Sequence, residues 1–216
     1  MAERPVFIPC DTAPYVREAC VSFAWNGGFA VSQKRKNIAA LHENYLSLCP
    51  QGNVLEISSK SLTPLGVKMS AFNLMKRVPS LGKRVPVECV FQGGKVFGCG
   101  GPYTDLYTAS PREAKRDPRL KESGMLTGFF YEGRHISPMP RTAFYDWLYI
   151  NAIRENEEIA MQVICYDAFT DIEFNPKKSL NCQARAAALY VALERKGLLD
   201  RCVDYDEYLR VIGSGE

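Results

Sequence analysis

The sequence feature that most restricts the fold is an uncharged apolar run at residues 186–193, inside the segment CQARAAALYVALERKGLL. This run is far shorter than the roughly 20 apolar residues of a membrane-spanning helix. We therefore expect a long helix of a globular protein, with Ser179 or Asn181 as its N-cap and Gly197 at its end. Apolar residues make up 46% of the chain, enough for a core of normal size.

The chain has 216 residues and shows no repeat, low-complexity tract or linker, so we expect a single domain over residues 1–216. Its net charge of +3 is too small to indicate nucleic-acid binding by itself. The opening Met-Ala-Glu-Arg-Pro lacks the layout of a signal peptide. These features predict a cytoplasmic protein without membrane association.

The cysteines and histidines argue against a metal site. The eight cysteines are scattered without C-x-x-C spacing, and the two histidines, His42 and His135, stand alone. In a reducing compartment such cysteines are typically packing residues. We expect no metal and no cofactor, and chemistry that depends on carboxylates, lysines and amides.

Helix signals outnumber strand signals along the chain. Strands are indicated before a turn at Asn26-Gly27-Gly28, in NVLEISSKS, and in a hairpin at 125–137 that turns at Glu132-Gly133. Residues 64–84 show irregular chain. The predicted helices start at Ser32, Pro86, Ser110 (a capping box with Glu113) and Thr142, and cover EEIAMQVICY and 204–212. The fold class is therefore α+β, mainly α-helical.

The segment VECVFQGGKVF carries the strongest sign of chemistry. If it is helical throughout, Glu88, Gln92 and Lys95 share one face by their i, i+4, i+7 spacing. Such a stripe is also typical of an ordinary surface. However, Gly93-Gly94 costs about 1 kcal/mol per glycine inside a helix, which is tolerated where something approaches the backbone closely. The apolar neighbours of Glu88 further indicate partial burial.

This segment and its surroundings resemble the signature of the NADAR family. The family pattern is a Ser-Asn-Phe turn, a glycine, a helix reading Glu-His-x-Phe-Gln-Ala-x-Lys, and a later helix with Ala-Lys. The matching residues here are Ser70, Phe72, Gly82, Glu88, Phe91, Gln92, Lys95, Ala114 and Lys115. Ala71 and Cys89 depart from it, standing where the family has asparagine and histidine.

Weaker matches follow towards the C-terminus. Trp147 lies where the family has a Trp-bearing helix, Asp171 and Phe174 match its Asp-x-x-Trp, and Asn181 leads its closing helix. The resemblance makes 67–200 the family core and 1–66 an N-terminal extension packed on it. Over its whole length, the sequence is most similar to the NADAR branch of antitoxins to DarT-type DNA ADP-ribosyltransferases.

That branch implies hydrolysis of the bond between ADP-ribose and guanine in DNA, with ADP-ribosylated DNA as substrate and a DarT-type toxin as functional partner. Cleavage of an N-glycosidic bond develops positive charge on the ribose carbon, which a carboxylate stabilises. The resemblance therefore gives Glu88 this role and Asp171 that of a second acid. Lys95 is a candidate amine for attack on the opened sugar aldehyde, or a phosphate ligand.

The substrate-binding candidates are Ser58, Lys60, Ser70, Phe72, Gln92, Trp147, Phe174 and Asn181. Trp147 and Phe174 offer flat faces to a base, whereas Ser58 and Lys60 suit phosphates. Several have an ordinary structural alternative: Trp147 in the core, Asn181 as a cap, Asp171 in a turn. The basic residues Lys83, Arg84, Lys177 and Lys178 flank the predicted site in sequence and are candidates for contacts with the DNA backbone.

Three alternatives stay open at this point. The enzyme can act on small ribosylated amines, such as early riboflavin intermediates, instead of DNA. The chain can be a non-catalytic antitoxin that binds its toxin. Finally, Ser58-Ser59-Lys60-Ser61 with Asp171-Ile172-Glu173 imitates, over short matches, the Ser-Thr-Ser and x-x-Glu motifs of an ADP-ribosyltransferase.

Overall fold

The computed structural model describes residues 1–177 and 179–213 and confirms the predicted α+β class. The α-helices are α1 (Val31–Leu48), α2 (Pro64–Lys68), α3 (Val87–Gly93), α4 (Pro111–Arg116), α5 (Arg119–Glu122), α6 (Ala143–Arg154), α7 (Glu157–Val163), α8 (Gln183–Arg195) and α9 (Tyr205–Gly213). The strands are β1 (Ala2–Pro9), β2 (Val16–Phe23), β3 (Val54–Glu56), β4 (Met75–Val78), β5 (Lys83–Pro86), β6 (Lys95–Phe97), β7 (Leu126–Tyr131), β8 (Arg134–Ile136) and β9 (Ala168–Thr170). Short 3₁₀ turns cover Pro79–Leu81, Thr104–Thr108 and Leu199–Val203.

Helices α6 and α8 pack against each other at the centre of the core. The apolar run at 186–193 is buried along its whole length, which explains why it carries no charge. Helix α3 packs on α6, and strand β9 packs on α8. The two central helices thus support both the segment that carries Glu88 and the one that leads to Asp171. In the ranges 1–177 and 179–213, no helix has the length and apolar character needed to cross a membrane.

A four-stranded sheet has the order β2-β1-β9-β3. Strands β1 and β2 form an antiparallel hairpin, β9 is antiparallel to β1 at the pair Phe7 and Phe169, and β9 is parallel to β3. Helix α1 covers one face of this sheet through Ile38 and Leu41. The first 66 residues therefore supply three strands of the sheet in which β9 lies, and Asp171 follows directly after β9.

Two smaller sheets have the orders β4-β5 and β6-β7-β8. The hairpin predicted at 125–137 is confirmed as β7 and β8, with Glu132 and Gly133 at φ values of 47° and 78° in its turn. The capping box of Ser110 and Glu113 is confirmed at the start of α4. The prediction of irregular chain over 64–84 is wrong, because α2 and the hairpin β4-β5 occupy most of it.

The prediction of one continuous helix through VECVFQGGKVF is also wrong. Helix α3 ends at Gly93, and Lys95 begins strand β6. The turn depends on the two glycines, because a Cβ on Gly93 would lie 2.6 Å from the Tyr107 ring and one on Gly94 would lie 2.9 Å from the Phe130 carbonyl oxygen. The close approach predicted at these glycines is thus made by the protein's own core.

Two predicted N-caps differ from the structure. Helix α1 is capped by Ala30 and not by Ser32, and α8 by Cys182 and not by Ser179 or Asn181. Neither cap makes a side-chain hydrogen bond, so burial of the apolar faces fixes these helix starts more than capping does. Thr142 is the N-cap of α6, as predicted.

Candidate functional site

A cavity of about 490 Å³ opens between α3, the turn at residues 70–72 and the connection from β9 to α8. Its size falls in the range of about 300–1,000 Å³ that is usual for small-molecule sites. Most of the predicted site residues line it: Ser58, Ser70, Phe72, Glu88, Gln92, Lys95, Asp171, Phe174 and Asn181. Residues that are far apart in sequence thus meet at one place.

Glu88 stands in the first turn of α3 and is only 5% exposed. Its Oε1 accepts a hydrogen bond from Gln92 Nε2 at 2.8 Å, one helical turn later. The Nζ of Lys115, from α4, lies 3.8 Å from the same oxygen. Gln92 Oε1 is buried and has no hydrogen-bond partner within the described part of the chain. Such an acceptor is costly to leave unpaired, and a donor that enters the cavity, from water or from a ligand, can satisfy it.

Lys95 reaches the same cavity from strand β6, not from the helix face that its spacing suggested. Its Nζ lies 4.8 Å from the centre of the Phe91 ring. Burial lowers the pKa of Lys95 to about 8, although the negative charge of Glu88 acts in the opposite direction. A substantial fraction of the amine is therefore neutral near physiological pH, as nucleophilic attack requires.

Asp171 forms the opposite wall and is held by three donors. Its Oδ1 accepts from the backbone N–H groups of Glu173, at 2.9 Å, and Phe174, at 3.2 Å. Its Oδ2 accepts from Gln183 Nε2 at 3.0 Å. Burial raises the pKa of Asp171, and the nearby charge of Glu56 raises it further. The side chain can therefore carry a proton at a pH where an ordinary aspartate has lost it.

Gln183 and Glu56 are site residues that the sequence analysis missed. Gln183 opens α8, accepts from the Ala71 N–H at 2.7 Å and donates to the Ile57 carbonyl at 2.7 Å as well as to Asp171. Its amide thus joins the turn at 70–72 to the wall formed by Asp171. No local signal marks it, because α8 also carries Arg185, Glu194 and Arg195 among its apolar residues.

Behind the Asp171 wall lies a buried polar chain. Glu56 is 2% exposed and accepts from Thr170 Oγ1 at 2.6 Å and from the Ile172 N–H at 2.9 Å. His42 Nε2 lies 2.8 Å from the same Thr170 hydroxyl. Burial raises the pKa of Glu56 and lowers that of His42 to about 4. The sequence signal for this group is weak, because it consists of a single glutamate at the end of the otherwise apolar strand VLE.

Lys115, which matches the Ala-Lys of the family pattern, is a further cavity residue. Besides approaching Glu88, its Nζ lies 5.3 Å from the centre of the Phe72 ring. Tyr145 of α6 completes the floor, with its ring 5.1 Å from that of Phe91. A cation and the rings of Phe72, Phe91 and Tyr145 therefore line the same cavity as the buried carboxylate of Glu88.

Two of the predicted substrate-binding residues lie elsewhere. Trp147 packs in the core against Tyr131, Phe144 and Tyr205, with ring centres 5.8, 6.3 and 5.5 Å away. Lys60 lies at the rim, where its Nζ donates to the hydroxyl of Ser59, a cavity residue, at 2.6 Å.

The predicted DNA-binding lysines and arginine are separated by the fold. Arg84 lies in a second surface groove, where its guanidinium donates to Asn156 Oδ1 at 2.6 Å and to the Glu155 carbonyl at 2.7 Å. Lys83 is exposed beside it on β5. Lys177 is exposed two residues after Asn175, which lines the cavity. Lys178 lies outside the described residues.

The described ranges contain no group of three or more His, Cys, Asp or Glu side chains placed to hold a metal ion. A family model of DarT1-associated NADAR antitoxins matches residues 2–216 of the chain. Comparison with curated proteins finds no match.

Proposed function

This chain belongs to the family of DarT1-associated NADAR antitoxins, and we propose that its cavity hydrolyses the bond between ADP-ribose and the amino group of guanine in DNA. One observation carries the proposal: Glu88, Lys95 and Asp171 converge in a single cavity, each in an environment suited to a different step. The cellular role would be to reverse the modification made by a DarT-type toxin.

Asp171 and Glu88 supply the acid and the base of this proposal. Protonated Asp171 gives its proton to the leaving guanine nitrogen as the bond to the ribose carbon breaks. The carboxylate of Glu88 stabilises the cationic ribose carbon and takes a proton from the water that attacks it. At the end of the reaction Glu88 is protonated and Asp171 is ionised. After product release, Glu88 loses its proton to solvent and Asp171 takes one up.

Lys95 offers a covalent variant of the same reaction. In the ring-opened form of the substrate, the C1 carbon of the sugar is joined to the guanine nitrogen as an imine. The neutral amine of Lys95 adds to this carbon and expels guanine as the free amine, which leaves an imine between Lys95 and the sugar. Water then hydrolyses that imine, releases ADP-ribose and restores the amine. The lowered pKa of Lys95 supports this route. Reduction with borohydride during turnover tests it: a stable adduct on Lys95, absent in Lys95→Arg, is expected if the amine bonds to the sugar.

Phosphate and base contacts are assigned by position. Ser58 and Ser59 line one side of the cavity and Lys60 lies beside them at the rim, where hydroxyls and an ammonium suit the diphosphate. Phe72 and Phe174 line the cavity and offer aromatic rings to a base, and the unpaired Gln92 oxygen accepts from a ligand hydroxyl or amine. Asn181 Oδ1 is likewise buried without a partner in the described ranges.

The test compares release of ADP-ribose from a modified oligonucleotide with release from a modified guanosine nucleotide and from small ribosylated amines. Preference for the oligonucleotide is expected. Turnover of small amines alone would favour the riboflavin-type alternative. Protection of cells by a variant that releases nothing would favour an antitoxin that acts only by binding its toxin.

A further inference from the structure

An aromatic and basic surface lies next to the cavity, between β2 and α1. Among the large hydrophobic side chains exposed in the described residues, the two aromatic ones are Phe29, at 100%, and Trp25, at 37%. Both belong to the short connection that precedes α1. A fully exposed phenylalanine is open to a flat ligand on both faces of its ring.

Cations accompany the Trp25 ring. The Arg4 guanidinium carbon lies 5.2 Å and Lys34 Nζ lies 5.7 Å from the centre of the Trp25 ring. Arg35 and Lys36 follow on α1 and are exposed, and the first turn of that helix, fully described, carries no acidic residue. We name Arg4, Trp25 and Lys34, together with Phe29 from the same connection, the aromatic platform. Lys34 is paired with Glu173, so the positive charge that this surface offers to a polyanion comes chiefly from Arg4, Arg35 and Lys36.

The platform is continuous with the cavity. Lys34 Nζ lies 3.6 Å from Glu173 Oε1, and Glu173 lines the cavity. Lys34 therefore spans the gap between the cavity mouth and Trp25. Stacked nucleotides are about 3.4 Å apart along one strand. A strand whose modified base lies in the cavity and which runs along Lys34 thus brings its next few bases to Trp25.

We propose that the aromatic platform binds single-stranded DNA flanking the modified guanine. The inference rests on the proposed function and adds the surface that holds the polynucleotide. A single strand is the fitting partner, because bases stack on exposed aromatic side chains only when they are not stacked inside a duplex. The modified base must also leave any duplex to enter a cavity of about 490 Å³.

Phe29→Ala tests the platform without disturbing the core, since the side chain is fully exposed. Leu48→Ala is the matched control: it removes a 73% exposed side chain at the other end of the same helix. Binding of a labelled, unmodified 12-nucleotide single strand is measured by fluorescence anisotropy. Loss of one base–aromatic stack should weaken binding about five- to a hundredfold in Phe29→Ala, with little change in Leu48→Ala and recovery in Phe29→Trp.

Turnover gives a second readout. Phe29→Ala should raise KM for a modified oligonucleotide by a similar factor, with unchanged kcat and unchanged kinetics on a modified mononucleotide. Equal oligonucleotide binding by Phe29→Ala and Leu48→Ala would overturn the proposal, as would tighter binding of a duplex than of a single strand. Loss of toxin binding with intact oligonucleotide binding would assign the surface to a protein instead. If the unaltered protein releases no ADP-ribose while Phe29→Ala still weakens oligonucleotide binding, the proposed function fails and the platform stands.

Discussion

Replacement of Glu88 by glutamine separates the chemistry of the cavity from its stability. Glutamine keeps the size of the side chain and an oxygen that can accept from Gln92 Nε2, which lies 2.8 Å from Glu88 Oε1 in the unaltered protein. What it removes is the negative charge. Loss of a central acid–base or electrostatic group costs about 10²–10⁴ in rate, equivalent to about 3–5 kcal/mol in the activation barrier.

The cost in folding free energy is much smaller. At the 3.8 Å that separate Glu88 from Lys115, the gross attraction is about 4 kcal/mol for an effective dielectric constant of about 20. However, the Lys115 side chain is 58% exposed, and water screens the pair, so its net contribution is about 1 kcal/mol or less. We expect Tm to change by no more than about 4 °C.

The assay is single-turnover release of ADP-ribose from a modified oligonucleotide, with a thermal melt of the same preparation. Glu122→Gln, which alters an exposed acid, is the control and should match the unaltered protein in both. Near-normal release by Glu88→Gln with an unchanged melt would refute the assignment of Glu88 to catalysis. A rate loss in proportion to a large fall in Tm would refute the claim that its charge is dispensable for folding.

Four other outcomes are expected. Because the neutral amine of Lys95 is the reactive form, kcat/KM should rise with pH towards about 8 in a pH–rate profile. The charge of Glu88 raises the pKa of Lys95, so Glu88→Gln should shift this rise to lower pH. Lys177→Ala should raise KM in a salt-sensitive way in steady-state kinetics, whereas Arg84→Ala, in the second groove, should not. Gly93→Ala should lower the free energy of unfolding by about 1–3 kcal/mol in urea titrations, since its Cβ would meet Tyr107, whereas Gly27→Ala, with open space around it, should not. EDTA should leave ADP-ribose release unchanged.

Helix α3, which carries Glu88, shows how much of the site could be predicted from the sequence. The pairing of Glu88 with Gln92 follows from helical spacing, and the structure contains it. Lys95 lies in the same cavity as Glu88 and Gln92, but helical spacing does not place it there. The chain turns at Gly93 and Gly94 and continues as strand β6, which brings Lys95 to the cavity. That turn depends on Tyr107, which approaches from another segment. A tertiary contact of this kind leaves no periodic pattern in the sequence.

Nearness in sequence to Glu88 predicted site residues less well than helical spacing did. Arg84 stands four residues before Glu88, yet β5 directs it to Asn156 in another groove. Gln183 and Glu56 went unnoticed because one glutamine in a helix or one glutamate in a strand is locally ordinary. Their importance arises from burial and from partners more than 100 residues away, such as Thr170 for Glu56. These contacts form only when the sheet is assembled, so no local sequence pattern predicts them.

The position of β9 between β1 and β3 has a consequence for synthesis on the ribosome. Thr170 is made 114 residues after its partner Glu56, which corresponds to roughly 6–23 s at ordinary elongation rates. During that interval β1 and β3 each have an open edge, of the kind that promotes aggregation. The Asp171 wall is thus completed only when the late strand inserts between two early ones, so a nascent chain that stops before residue 168 has no cavity with which to meet a substrate.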